Sequence, residues 1–148
     1  MIGHSLAEQQ DRAWEMLRAT VPKFEPGDWA TGPSPDRVPA RIALHIVAAV
    51  DYYSRPKKDG FDWSVWKDDD EHLPDRKGLI EALEQVAARC HAWLESLSDE
   101  AMAESTDFEH TGSTVLEQNL YQLRHTMAHI GELSMALRAK GFSESEWR

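Results

Sequence analysis

The chain has 148 residues, of which 41% are hydrophobic and 28% charged, with a formal net charge of −10. That length is enough for one domain with its own core, and the apolar content excludes a disordered chain. The acidic balance sets phosphate backbones and anionic lipid surfaces aside as partners, so neither nucleic acid nor a membrane is expected.

The first helix is predicted to open at Ser5, with Glu8 at capping-box spacing and an apolar stripe of Leu6, Trp14, Leu17 and Val21. Residues 22–35, PKFEPGDWATGPSP, are too rich in proline and glycine to be anything but a loop. The second helix is expected from about Asp36 to Ser54, with Pro39 in its first turn, where no hydrogen bond is lost. Residues 55–77 form a long connection, and loops of that length in small domains commonly serve function. A third helix follows over Gly78–Leu97, on the spacing of Leu79, Leu83, Val86, Cys90, Trp93, Leu94 and Leu97. Thr114 and Glu117 form a further capping box that opens a fourth helix, which ends near Lys140 before Gly141.

Four helices and no strand read as an all-α four-helix bundle occupying residues 1–148 as one domain. The long connections leave room for an order other than up-down-up-down. No apolar run approaches the ~20 residues of a membrane span. The N-terminus is too polar for a signal peptide, and Cys90, the single cysteine, cannot form an intrachain disulfide. A reducing, cytoplasmic location is therefore expected.

The chemistry-bearing stretch is LYQLRHTMAHIGEL, residues 120–133. His125 and His129 stand four apart, and such positions share a helix face with Cβ atoms about 5–6 Å apart. Two imidazoles there converge on one ion with metal–nitrogen distances of about 2.0–2.1 Å. His45 lies mid-helix among Val38, Ile42, Ala49 and Tyr52. It is either a core histidine bonded to a neighbour or a third ligand pointing across the bundle. Three neutral imidazoles with an open fourth position suit zinc, nickel or iron. His4, His72, His91 and His110 read as structural or solvated.

Tyr121, His125, His129, Glu132 and Ala136 share one face of the fourth helix; Leu116, Leu120, Leu123, Met127, Ile130 and Leu137 occupy the opposite one. A helix apolar on the side away from its histidines is buried there too, and a homodimer through this helix is expected.

These residues carry a resemblance. The mid-helix histidine in LHIVAAVDYY, the LRHTMAHIGEL segment and the chain length resemble the DinB/YfiT-like superfamily of metalloenzymes over nearly the whole chain. The resemblance implies an up-down-down-up four-helix bundle that is commonly dimeric. It also implies a divalent metal, zinc or nickel, held by His45, His125 and His129. Some relatives are thiol-dependent transferases or isomerases, and the family often has Gln where Glu132 stands.

A three-histidine ion keeps its full charge and lowers the pKa of a bound thiol or water. The leading expectation is therefore activation of a low-molecular-weight thiol for transfer to a small electrophile. Glu132 and Tyr121 are the candidate catalytic residues, Tyr52 is a further hydrogen-bond donor, and Trp63 and Trp66 read first as plain packing and second as covers of the site. A metal-dependent hydrolase with Glu132 as general base is the second expectation, and a non-catalytic metal-binding stress protein the third. Thr126 stands where a zincin has glutamate, and Gln122 precedes His125 where a di-iron site has Glu-x-x-His. Cys90, on an apolar stripe, is set aside as a nucleophile.

Overall fold

The computed structural model describes residues 1–141. Four long helices carry the fold: α1 (Ile2–Thr20), α3 (Pro39–Tyr53), α4 (Arg76–Ser96) and α6 (Val115–Ala139). Two single-turn helices, α2 (Pro26–Trp29) and α5 (Asp99–Met102), lie in the connections, and there is no strand among the described residues. The 22–35 segment is thus not a bare loop. Proline at N1 or N2 of α2, and of the 3₁₀ turns Val21–Lys23 and Pro35–Arg37, supplies pre-set helical dihedrals at turns too short to nucleate otherwise.

α3 packs on α6 and α4, and α1 packs on α4 and α6, so α1 and α3 face each other across the diagonal. Contacts near the helix ends fix the directions. His4 meets Glu95 at 2.6 Å while Arg18 meets Glu84 further along, so α1 and α4 are antiparallel. Val38 and Ala40 share a cavity wall with Ile80, and Asp51 pairs with Arg89 at 2.7 Å, so α3 and α4 run parallel. Gln118 Nε2 donates to the Tyr53 carbonyl at 2.7 Å, joining the end of α3 to the start of α6, so those two are antiparallel. The order is up-down-down-up, as the resemblance implies.

The core holds the residues that the periodicity marked. Leu6, Trp14 and Leu17 of α1 and Val21 just after it are buried, as are Leu79, Leu83, Val86, Cys90 and Leu94 of α4. Burying each such aliphatic side chain contributes about 1.5–3 kcal/mol relative to exposure. α1 and α4 lie in close contact at Gly3, where a Cβ would lie 2.2 Å from the Leu94 carbonyl oxygen. Only glycine fits there.

Three boundaries differ from the sequence reading. α1 starts at Ile2 rather than at Ser5, because Asp99 of α5 accepts from the Ile2 backbone N–H at 2.9 Å and from the terminal amine at 3.2 Å. A cap supplied from a remote segment replaces the local Ser5–Glu8 box. α3 starts at Pro39, with residues 35–37 forming a separate 3₁₀ turn. α4 starts at Arg76, capped by Asp75 Oδ1, which accepts from the Gly78 N–H at 2.7 Å. The Thr114–Glu117 box is formed in full, and Gly141, at φ 87°, follows the last turn of α6 in the left-handed region.

The core face of α6 is not the one opposite its histidines. Gln118, Gln122, Thr126, Ile130, Leu133 and Leu137 are buried, a stripe turned roughly a quarter-circle from His125 and His129. Of the residues expected on the buried far side, Ile130 and Leu137 are buried, Leu116, Leu123 and Met127 are half-buried, and Leu120 is exposed. Polar Gln118, Gln122 and Thr126 hid this stripe from a hydrophobicity pattern. The two glutamines are accommodated by hydrogen bonds to Tyr53 O and Cys90 Sγ.

Candidate metal centre

α3 and α6 lie side by side, and the facing positions one turn apart on α6 bring three imidazoles together. His45 Nε2 is 3.0 Å from His125 Nε2, and His129 Nε2 is 3.2 Å from the same atom. All three rings offer a nitrogen within 4.8 Å of the others. Bonds of about 2.0–2.1 Å at tetrahedral angles place ligand nitrogens roughly 3.3 Å apart, so these separations fit one ion with little movement. No other group of three histidine, cysteine or carboxylate ligands lies this close among the described residues. The three histidines could hold a metal, and no fourth protein ligand joins them among the described residues.

Two of the rings are held neutral. Burial pushes His125 down to about 4, and the neighbouring His129 and His45 add to the effect. Burial also lowers His45, with His129 acting in the same direction, while Glu132 and Asp68 oppose it. A neutral imidazole has a lone pair to give, which is what a ligand needs. His45 itself is exposed by surface area. It is not sealed in an apolar stripe: Val38, Ile42 and Ala49 are buried beneath it, and the cleft opens to solvent at its side.

Glu132 Oε2 accepts from His129 Nδ1 at 2.7 Å. That contact places the proton on Nδ1 and leaves Nε2 free to face the centre, the carboxylate–histidine arrangement found behind metal ligands. His125 Nδ1 is buried and has no hydrogen-bond partner among the described residues. Tyr121 stacks on His125 with ring centroids 6.0 Å apart and planes 21° apart.

Two residues that the sequence reading passed over join this end of the cleft. Tyr53 Oη is 2.7 Å from His110 Nε2, and its ring lies 5.4 Å from that of Tyr121. Burial and the adjacent Tyr121 push the Tyr53 hydroxyl up in pKa. His110 is thus hydrogen-bonded, where a solvated side chain was one expectation. No motif marks it, because a 3₁₀ turn in the connection before α6 brings it in.

The two tryptophans part company. Trp66 donates to Asp51 at 3.1 Å and packs on the core, whereas Trp63 is 54% exposed and rests on Tyr52 at 4.8 Å. The crossover between α3 and α4 is strapped down beside His45 by Arg41, which donates to the Asp68 carbonyl at 2.7 Å and to Asp70 at 2.8 Å. Cys90 is buried, and burial pushes its thiol up to about 11, so it is no nucleophile at neutral pH. His4, His72 and His91 meet Glu95, Asp69 and Asp11 on the surface, away from the triad.

A groove of about 1260 Å³ runs along the second half of α6, with Ile42, Ala128, Gly131, Glu132 and Met135 among its walls; it meets the centre through Glu132, and none of the three histidines lines it. A second cavity, about 1310 Å³, lies between the proline-rich connection and the start of α4, and no histidine lines it. No helix among the described residues is long and apolar enough to cross a membrane.

A bundle whose two facing helices present three converging histidines defines a class of helical proteins with a candidate metal centre. The family model of the DinB superfamily matches residues 9–133, and the chain belongs to that superfamily. No curated protein matches the chain.

Proposed function

We propose that this protein is a metal-dependent enzyme in which His45, His125 and His129 hold a divalent ion, zinc or nickel, and that a small thiol is its activated substrate. The observation that carries the reading is the convergence of three imidazoles on a solvent-open cleft without a fourth protein ligand among the described residues. A closed set of four would serve structure alone, whereas an open position serves chemistry. A divalent ion held there supplies positive charge that lowers the pKa of a thiol or water.

The chain's own residues do the rest. Glu132 fixes the tautomer and the angle of His129. Tyr121 backs His125 and limits where that ring can turn. Buried Ile42 and the apolar parts of the groove give a substrate's body a place out of water. Glu132 is already engaged with His129 Nδ1, which favours a role through that histidine over general-base catalysis on water, and so favours thiol transfer over hydrolysis.

Elemental analysis of untagged protein beside His125→Ala tests the reading. About one zinc or nickel per chain, lost in the variant, is the expected outcome. Absence of metal from both after reconstitution overturns it.

A further inference from the structure

We infer that Tyr53 and His110 are positioning residues of the metal centre, holding the Tyr121 ring against His125 and so fixing the angle at which that histidine faces the other two. The inference rests on the metal-centre reading and adds to it the device that orients one ligand.

The candidate ligands are not held alike. His129 is fixed by the bond from Nδ1 to Glu132 at 2.7 Å. His125 has no such bond: its Nδ1 is buried without a hydrogen-bond partner among the described residues. An imidazole that binds a metal through one nitrogen ordinarily has its ring set by a hydrogen bond from the other. For His125 that task falls to ring packing. Tyr121, one turn earlier on α6, lies nearly parallel to it, with planes 21° apart and centroids 6.0 Å apart.

Tyr121 is in turn cornered by two rings from outside its helix. Tyr53, at the end of α3, meets it at 5.4 Å and 70°. His110, on the 3₁₀ turn before α6, meets it at 5.7 Å and 88°. Both are edge-on contacts, an arrangement that aromatic rings favour. The two walls are tied to each other by the 2.7 Å hydrogen bond between Tyr53 Oη and His110 Nε2.

Packing alone does not call for that bond. Tyr53 is 8% exposed and sits with Ala49 and Phe108 in a small apolar cluster apart from the main core. Phe would fill the same space without a hydroxyl to satisfy. What the hydroxyl gains is a set place for His110, which is exposed and belongs to an irregular connection. Without the bond, one wall of the corner around Tyr121 is loose, and the His125 ring loses the plane it rests on.

The test uses the full chain with cobalt(II), whose visible absorption reports the angles of its ligands and whose affinity is read against a chelator of known strength. Tyr53→Phe and His110→Ala are each expected to weaken cobalt binding about three- to ten-fold, at or below the low end for outer contacts of a ligand, and to shift the cobalt bands. His110→Gln, which keeps a hydrogen-bonding end on the side chain, should restore most of the affinity. Because the pair acts through Tyr121, Tyr53→Phe should cause no further loss in a Tyr121→Leu background. Losses that add overturn the inference. So does a lower melting temperature of the metal-free variants with cobalt affinity and bands intact, which would make the bond a fastening of the fold alone. His110 is exposed, so its replacement leaves a folded chain to measure even where Tyr53→Phe does not. A wild type that takes up no cobalt overturns the metal reading and this inference with it. Cobalt bound alike by the wild type and every variant overturns the inference alone, so the two failures are told apart.

Discussion

His129 is the best-defined of the three candidate ligands, because both of its nitrogens are spoken for. Nδ1 donates to Glu132 and Nε2 faces the other rings. Exchanging Glu132 for Gln keeps an acceptor oxygen but removes the charge that strengthens the bond and raises the basicity of the ligand. Glu132→Gln is expected to weaken metal binding about ten-fold, the low end for such outer contacts, in competition with a chelator of known affinity. An unchanged affinity would mean that Glu132 does not act through His129. The residues of this centre differ in how far sequence exposes them. His125 and His129 announce themselves by spacing, since helical geometry alone puts them on one face. His45 needs tertiary packing to join them, and its exposure was hidden because its sequence neighbours are buried. His110 and Tyr53 left no signal, as their contact depends on the path of an irregular connection.

At the scale of the element, the helix starts show where local rules hold and where they yield. Thr114 and Glu117 cap α6 with residues three apart, and both bonds of the box are present. The start of α1 is instead satisfied by Asp99, 97 residues away from Ile2. No window on the sequence could reveal that cap, whereas the apolar stripes of α1 and α4 were readable because their period is the helix's own. The Ile2 N–H, then the terminal amine, hold the Asp99 carboxyl below its ordinary value. A depressed carboxylate contributes stability that is present above its ordinary value and lost as pH falls through its folded value, so the loss begins near pH 4 and continues below. Asp99→Asn should therefore melt below wild type by a wider margin at pH 7 than at pH 3. Melting curves separated equally at both pH values would deny the charge its role.

Across the whole molecule, the topology was the part least open to sequence. Periodicity finds helices but not their neighbours, and the parallel α3–α4 pair is set by packing over a crossover. The outer side of α6 is left with an apolar stripe: Leu120 is 46% exposed and Met135 62%, beside half-buried Leu116, Leu123 and Met127. We propose that a second copy covers it. Sedimentation should give twice the chain mass at micromolar concentration and a monomer for the double variant Leu120→Glu, Met135→Glu. A wild-type monomer would overturn the dimer.

The parallel α3–α4 pair has one more consequence. A chain that leaves the end of one helix and must enter the next at the opposite end has to travel the length of the bundle, and residues 54–75 make that journey. They pass beside the cleft, carrying Phe61 and Trp63 to Tyr52 and leaving Asp68 strapped to Arg41 near His45. The frame that fixes the three histidines and the rim that greets an incoming molecule therefore belong to different parts of the chain. Loops tolerate replacement where helices do not. If the cleft is a substrate site as proposed, changes of sequence in the crossover retune what enters it while the imidazoles keep their places.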